Sequence, residues 1–162
     1  IRNTAILAFP DGTAVYQDKL FLTPDEVDWK WETGEELQVI THPKLGRFVI
    51  ATCYDSEFPQ ISALLAKANP SLILVPSMTG AKGLRRVRFT SQARAVEHFA
   101  YVVVVGTVSA KNPQDTLDVG QAVIVPPQEV GFPDLIAEGP FNAPAVVTGD
   151  IDFKLLHSMK PK

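Results

Sequence analysis

Cys53 is the only cysteine in the chain, and it stands where an apolar, β-branched run gives way to a helical pattern, in Arg47-Phe-Val-Ile-Ala-Thr-Cys53-Tyr-Asp-Ser-Glu-Phe-Pro59. Strand, tight turn and helix in that order expose a nucleophile beside a helix N-terminus. The same placement suits an inert thiol, since free cysteines are among the most buried residues. An ordinary thiol is only a few per cent ionised at neutral pH, and making it mostly thiolate takes about 2 kcal/mol. A helix N-terminus supplies about 0.3 to 1 kcal/mol in exposed settings, so a nearby cation or general base is also required. Lys19 is the candidate cation. It closes the segment Tyr16-Gln-Asp-Lys19 and opens a long loop through Leu20-Phe-Leu-Thr-Pro24, where an ammonium can reach a site at a sheet edge. Read alone, the segment favours a solvated lysine at a strand end, since exposure is the rule for Lys.

The elements that must position these two groups follow from local pattern. Thr4 to Phe9 and Thr13 to Tyr16, separated by Pro10-Asp-Gly12, read as a hairpin whose second arm runs on to Lys19. Thr23 to Glu36 reads as a long loop with one helical turn capped by Thr23. Leu37 to Ile40 and Arg47 to Thr52 flank a turn that contains His42, giving a second hairpin that ends at Cys53. Ile61, Leu64, Leu65 and Ala68 have helical spacing, and Asn69-Pro70 ends that helix. Leu72 to Val75 is a strand covered on both faces. A loop over Ser77 to Gly83, a helix over Leu84 to Phe99, and strands over Tyr101 to Val105, Gln121 to Val125 and Ala145 to Ile151 complete the reading. Pro126 to Pro144 is a surface loop, and no closing element is expected over Met159 to Lys162. Central βαβαβ order with flanking hairpins is an α/β mixed sheet with helices on at least one face.

At 162 residues with 46% hydrophobic and 20% charged content, the chain is sized for one globular domain, 1–162. A net charge of -3 gives no electrostatic case for nucleic acid or an anionic membrane, and the local basic run Lys82 to Arg88 reads as a solvated or anion-facing helix start. One cysteine forms no internal disulfide, which favours a reducing, cytoplasmic setting, and no apolar run reaches membrane-spanning length. Arg2 to Phe9 already reads as a strand with no methionine start before Ile1, so the chain is expected to be one part of a longer domain.

The succession of Lys19, Pro24-Asp-Glu26, Gly46, Cys53-Tyr-Asp-Ser-Glu-Phe-Pro59, Leu74-Val-Pro-Ser77 and Ala93-Arg-Ala-Val-Glu97 resembles the nitrilase, or carbon-nitrogen hydrolase, superfamily over nearly the whole chain. The resemblance implies an α-β-β-α sandwich, incomplete at the N-terminus, that forms dimers or larger homo-oligomers. It implies a small amide-like substrate and no cofactor or metal. Cys53 would attack the amide or nitrile carbon, with Lys19 holding the developing oxyanion. The Tyr54 backbone N–H just after the nucleophile would be a second oxyanion donor. Glu26, seven residues after Lys19, matches a second, orienting glutamate, and is otherwise a plain surface carboxylate. Met78 and Thr79 follow a strand end at the sheet edge where ligands bind in α/β folds.

One departure from the family pattern concerns the general base. The family's base glutamate precedes the lysine, yet Ile1 to Asp18 holds no glutamate, and Asp11 is accounted for by its Pro-Asp-Gly turn. The base is then expected from residues outside the chain, from another chain, or not at all, and the chain alone is expected to be inactive. Two rival readings stay open: a Cys-His hydrolase using His98, and a non-catalytic binding module on the same fold. Arg94 and Glu97, three apart on a helix, read as a structural pair. His42 and His157 read as surface residues, and Trp29 and Trp31 as a substrate entrance or as cover for the core.

Overall fold

The computed structural model describes residues 1–108 and 118–161. A six-stranded sheet runs in the order β3 (Ile40–His42), β4 (Gly46–Ile50), β5 (Leu72–Ser77), β6 (Tyr101–Gly106), β7 (Val123–Val125) and β8 (Ala137–Glu138). The central strands β4, β5 and β6 are parallel, while β3, β7 and β8 are added antiparallel. The parallel connections are α2 (Pro59–Ala68) and α3 (Ala81–His98). Both pack on the same face: Ile61 and Leu65 of α2 and Val87 and Ala95 of α3 bury against Val49, Ile73, Val75, Val102 and Val104. The alternate residues Phe48, Ile50, Leu72 and Tyr101 form a second core on the opposite face, as the two-residue period of a strand requires. That second core is closed by Leu156 of α4 (Phe153–Met159) and by Ala5, Leu7 and Val15 of a separate hairpin, β1 (Thr4–Ala8) and β2 (Ala14–Asp18).

Local chemistry explains the boundaries. Asn69 ends α2 in a left-handed conformation, φ 47°, which asparagine tolerates better than most residues. The short helix α1 (Pro24–Asp28) starts on a capping box in which the Thr23 hydroxyl accepts the Glu26 N–H and the Glu26 carboxylate accepts the Thr23 N–H.

Several expectations need correction. Ala145 to Ile151 forms no strand; the last pairing on the sheet is made instead by Ala137 and Glu138, from inside the segment read as a surface loop. The β-branched run Val146-Val-Thr148 suits a strand, but only pairing makes one. The strand at Gln121 shortens to Val123–Val125, and the arm at Leu37 starts only at Ile40, so His42 lies in β3 rather than in the turn. The C-terminal segment does close the fold. Asp152 caps α4 by accepting the Leu155 N–H, and His157 bonds the Ser71 hydroxyl through Nε2 at 2.8 Å rather than standing free at the surface. No helix among the described residues is long and apolar enough to cross a membrane.

Candidate active site

Cys53 lies two residues past the end of β4, after Ala51 and Thr52, at the C-terminal edge of the parallel strands, and opens a 3-10 turn over Cys53–Glu57 before α2 begins. The expected helix therefore starts as a tighter coil. Cys53 itself has φ 51°, a left-handed conformation that costs a non-glycine residue about 1 to 2 kcal/mol. Such strain persists only where surrounding contacts over-determine it, and it clusters at functional sites. Three contacts hold Cys53 there. Ser56 Oγ donates to the Cys53 carbonyl at 2.8 Å, Ser77 Oγ donates to the Cys53 sulfur at 3.2 Å, and the thiol faces the Met78 carbonyl at 3.7 Å. Cys53 is 9% exposed.

Lys19 lies immediately after β2, with its backbone fixed on both sides: its N–H donates to the Asn3 carbonyl, and its carbonyl accepts the Gly34 N–H. Gly34 is required there, because a Cβ would stand 2.7 Å from the Asp18 carbonyl oxygen. The Lys19 ammonium is buried and donates to Glu26 Oε2 at 2.6 Å. Glu26 also accepts from Asn3 Nδ2 and from the Thr23 N–H, each at 2.8 Å. Burial pushes the Glu26 carboxyl up, but Lys19 and these two donors outweigh it and hold it below the usual carboxylate range.

Asp55 joins the two halves. It is 1% exposed, and its Oδ1 accepts the Leu20 and Phe21 N–H groups at 3.1 and 2.7 Å, while Oδ2 accepts the Thr52 N–H at 3.1 Å. One carboxylate thereby ties the backbone after Lys19 to the residue before Cys53. Burial drives its pKa up to about 6, against the opposing pull of the three N–H groups and the Lys19 charge. Phe21 stacks on Phe58 with ring centroids 4.3 Å apart, and Tyr54 meets Phe58 edge-to-face at 4.7 Å.

The remaining expected positions fall around this centre. Among the described residues no acceptor takes the Tyr54 N–H. Met78 presents an exposed side chain past the end of β5, and the Thr79 carbonyl accepts the Val119 N–H at 2.9 Å. Trp29 is exposed, with its ring against Trp31. His98 goes elsewhere: its Nε2 meets Ser62 Oγ at 3.1 Å and Glu97 at 3.6 Å, and burial holds its pKa below the usual histidine value. No imidazole among the described residues bonds the Cys53 sulfur. Arg94 pairs with Glu97 as read, and its Nε also donates to the Ser56 carbonyl. No group of three or more potential metal ligands occurs among the described residues.

Residues 2–161 match the family described as carbon-nitrogen hydrolase. The chain belongs to the carbon-nitrogen hydrolase family. It is 35% identical over 167 residues to the probable hydrolase YhcX of Bacillus subtilis (strain 168), covering 99% of this chain and 32% of that protein. It is 30% identical to the nitrilase and fragile histidine triad fusion protein NitFhit of Caenorhabditis elegans, covering 77% of this chain and 30% of that protein. The crystal structure of NitFhit superimposes with a TM-score of 0.79 at 25% identity, over 98% of this chain and 39% of that one. Saccharomyces cerevisiae Nit3, a member of branch 10 of the nitrilase superfamily, gives a TM-score of 0.79 at 24% identity, over 97% and 55%. The chain thus spans about a third of the length of the curated relatives it matches.

Against this carbon-nitrogen hydrolase fold, sequence reasoning missed Asp55, Ser56 and Ser77 as residues that hold the Cys53 turn. Ser77 carried a signal: it ends an apolar run, at the edge where Met78 and Thr79 were singled out. Asp55 carried a local signal, since it stands three residues after Thr52, whose N–H it accepts, but its tie to the Lys19 segment was hidden because those partners lie 34 and 35 residues away.

Proposed function

We propose that the protein containing this chain hydrolyses a non-peptide carbon-nitrogen bond of a small amide-like substrate through a thioester on Cys53. The observation that carries this reading is the strained Cys53 turn locked by Asp55 to the segment bearing a buried lysine. A thiol in a left-handed elbow with a hydroxyl donor on its sulfur is prepared for attack, and a packing cysteine needs neither feature.

In the proposed reaction the Cys53 sulfur adds to the amide carbon and the carbonyl electron pair moves to oxygen. Lys19 and the Tyr54 N–H receive that oxygen. Collapse expels the amine, which takes up a proton, and water then cleaves the thioester to a carboxylic acid. Glu26 neutralises Lys19 and fixes its direction. The base that takes the thiol proton and activates the water is not Glu26 or Asp55, whose oxygens each already accept from three donors: Lys19, Thr23 and Asn3 for Glu26, and Leu20, Phe21 and Thr52 for Asp55. We place it in sequence outside these 162 residues. The substrate reaches Cys53 past Met78 and Thr79, in a cytoplasmic, homo-oligomeric enzyme.

The test is ammonia release from a panel of small aliphatic amides by the intact protein and by its Cys53→Ala variant. Turnover that disappears with the sulfur while the thermal melt is preserved supports the proposal. Turnover retained in Cys53→Ala defeats it.

A further inference from the structure

The 3-10 turn that carries Cys53 is gripped from below by α3, and the grip converges on one peptide unit. Ser56 is 1% exposed, and its hydroxyl donates to the Cys53 carbonyl at 2.8 Å while lying 3.2 Å from Thr90 Oγ1. With the Ser56 proton given to the Cys53 carbonyl, this contact is a hydrogen bond when Thr90 Oγ1 donates its single proton to Ser56 Oγ rather than to the Arg86 carbonyl 2.9 Å away. The Ser56 carbonyl accepts from Arg94 Nε at 3.2 Å, and Arg94 is buried. Ser56 is therefore fixed at both its hydroxyl and its carbonyl, by two residues one helical turn apart on α3.

A trans peptide is planar, and its C=O and N–H point in opposite directions. The C=O of Cys53 and the N–H of Tyr54 belong to the same peptide. Fixing the Cys53 carbonyl toward Ser56 and α3 fixes the Tyr54 N–H away from them, where no acceptor among the described residues meets it. A backbone donor left open beside a thiol and held by a buried hydroxyl is preorganised for an anion that forms only during reaction. Cys53 is at φ 51°, so without the Ser56 bond the strained peptide has freedom to rotate.

We propose that Ser56 is the positioning residue for the oxyanion donor: its hydroxyl sets the plane of the Cys53–Tyr54 peptide and so aims the Tyr54 N–H at the oxygen of the adduct. This rests on the reading of Cys53 as a nucleophile that adds to a carbonyl. Thr90 and Arg94 act through Ser56 and touch no reacting atom.

The experiment compares two reactions of the same sulfur in the intact protein. Alkylation by iodoacetamide displaces iodide and creates no oxyanion. Addition to propionaldehyde forms a carbon-sulfur bond, moves the carbonyl electron pair to oxygen and ends with the thiol proton on that oxygen, so it reports the donor. The aldehyde concentration that protects Cys53 from iodoacetamide is measured for the wild type, Ser56→Ala and Thr90→Val. A carbon-13 label on the aldehyde carbon separates the sulfur adduct from an imine on lysine. The expected result is that Ser56→Ala needs roughly tenfold more aldehyde or greater, while its alkylation rate without aldehyde stays within about twofold; Thr90→Val moves the same way by less. Unchanged protection, a parallel fall in both reactions, an imine as the only adduct, or a wild type that the aldehyde does not protect each overturns the proposal. Amide turnover by the wild type is scored separately. A protein with Ser56-dependent protection but no turnover keeps this inference and loses the hydrolase reading.

Discussion

The Asp55 carboxylate accepts the Phe21 N–H at 2.7 Å, and through it the strand that ends at Lys19 is fastened to the turn that begins at Cys53. The same side chain takes the Leu20 and Thr52 N–H groups, so any change in Asp55 is felt on both sides of the site at once. In the unfolded chain this carboxyl titrates near 3.8, and in the fold burial raises it to about 6. Between those values the folded state binds more protons than the unfolded one, so the contribution of Asp55 to stability falls as pH rises through the window and is least above about 6. The span corresponds to a few kcal/mol at most, on the order of 2 to 3. Asp55→Asn removes this titration, so the difference in stability between pH 5 and pH 7, read from urea unfolding, shifts relative to wild type by about 1 kcal/mol, the part of the span that falls between those pH values. It also sets an amide NH2 against a backbone N–H, which displaces one side of the site, and kcat is expected to fall about tenfold or more. Identical pH profiles of stability in the two proteins would contradict the assignment.

Lys19 and Glu26 form a buried pair whose members have different duties. Lys19→Met leaves the Glu26 charge buried with only Asn3 and the Thr23 N–H, at a cost of about 3 to 5 kcal/mol. Lys19→Met combined with Glu26→Gln removes the stranded charge and recovers most of that loss in denaturant unfolding. Activity stays absent in both. A double variant that regains turnover along with stability would show that Lys19 serves packing alone.

Ser77 donates to the Cys53 sulfur from the end of β5. Hydrogen bonds to a charged acceptor contribute about 1.5 to 3 kcal/mol, so Ser77→Ala is expected to slow alkylation of Cys53 by iodoacetamide at pH 7 several-fold or more. Stopped-flow alkylation with the variant and the wild type measures this. Equal rates would mean that the hydroxyl supports the loop and not the thiolate.

How much of this was legible in the sequence depends on the range of each contact. Thr23 and Glu26 sit three apart, and the capped turn they make was visible because both partners lie in one window. The α2 spacing, its stop at Asn69 and the parallel core strands were legible for the same reason: pattern and termination are local. The Lys19, Cys53 and Glu26 grouping came through a motif order that resembles a family, and not from pairwise physics. Asp55, Ser56 and Ser77 look like ordinary polar turn residues, and only folding shows that their partners are Phe21, Thr90 and the Cys53 sulfur. Ala145 to Ile151 failed in the opposite way. Its composition suits a strand, but β8 took the sheet edge with Ala137 and Glu138.

The loop after β5 is held by a fit between two residues. Gly83 lies in the first turn of α3, and a Cβ there would stand 1.8 Å from Thr79 Oγ1. Gly83→Ala is therefore expected to destabilise by about 1 to 3 kcal/mol and to shift the Met78–Thr79 loop, raising KM more than it lowers kcat. Thr79→Ala in the same chain removes the hydroxyl and restores most of the stability. Thermal unfolding of the single and double variants reads the coupling, and additive effects would contradict it.

The central claim is that Cys53 carries the acyl group. The intact protein is mixed with a small aliphatic amide that it turns over, quenched in acid during steady state, and the peptide spanning Cys53 is weighed. The account predicts the added mass of the acyl group on Cys53, removed by hydroxylamine and absent in Cys53→Ala. Steady turnover in Cys53→Ala, or an acyl group found on another residue, would contradict it.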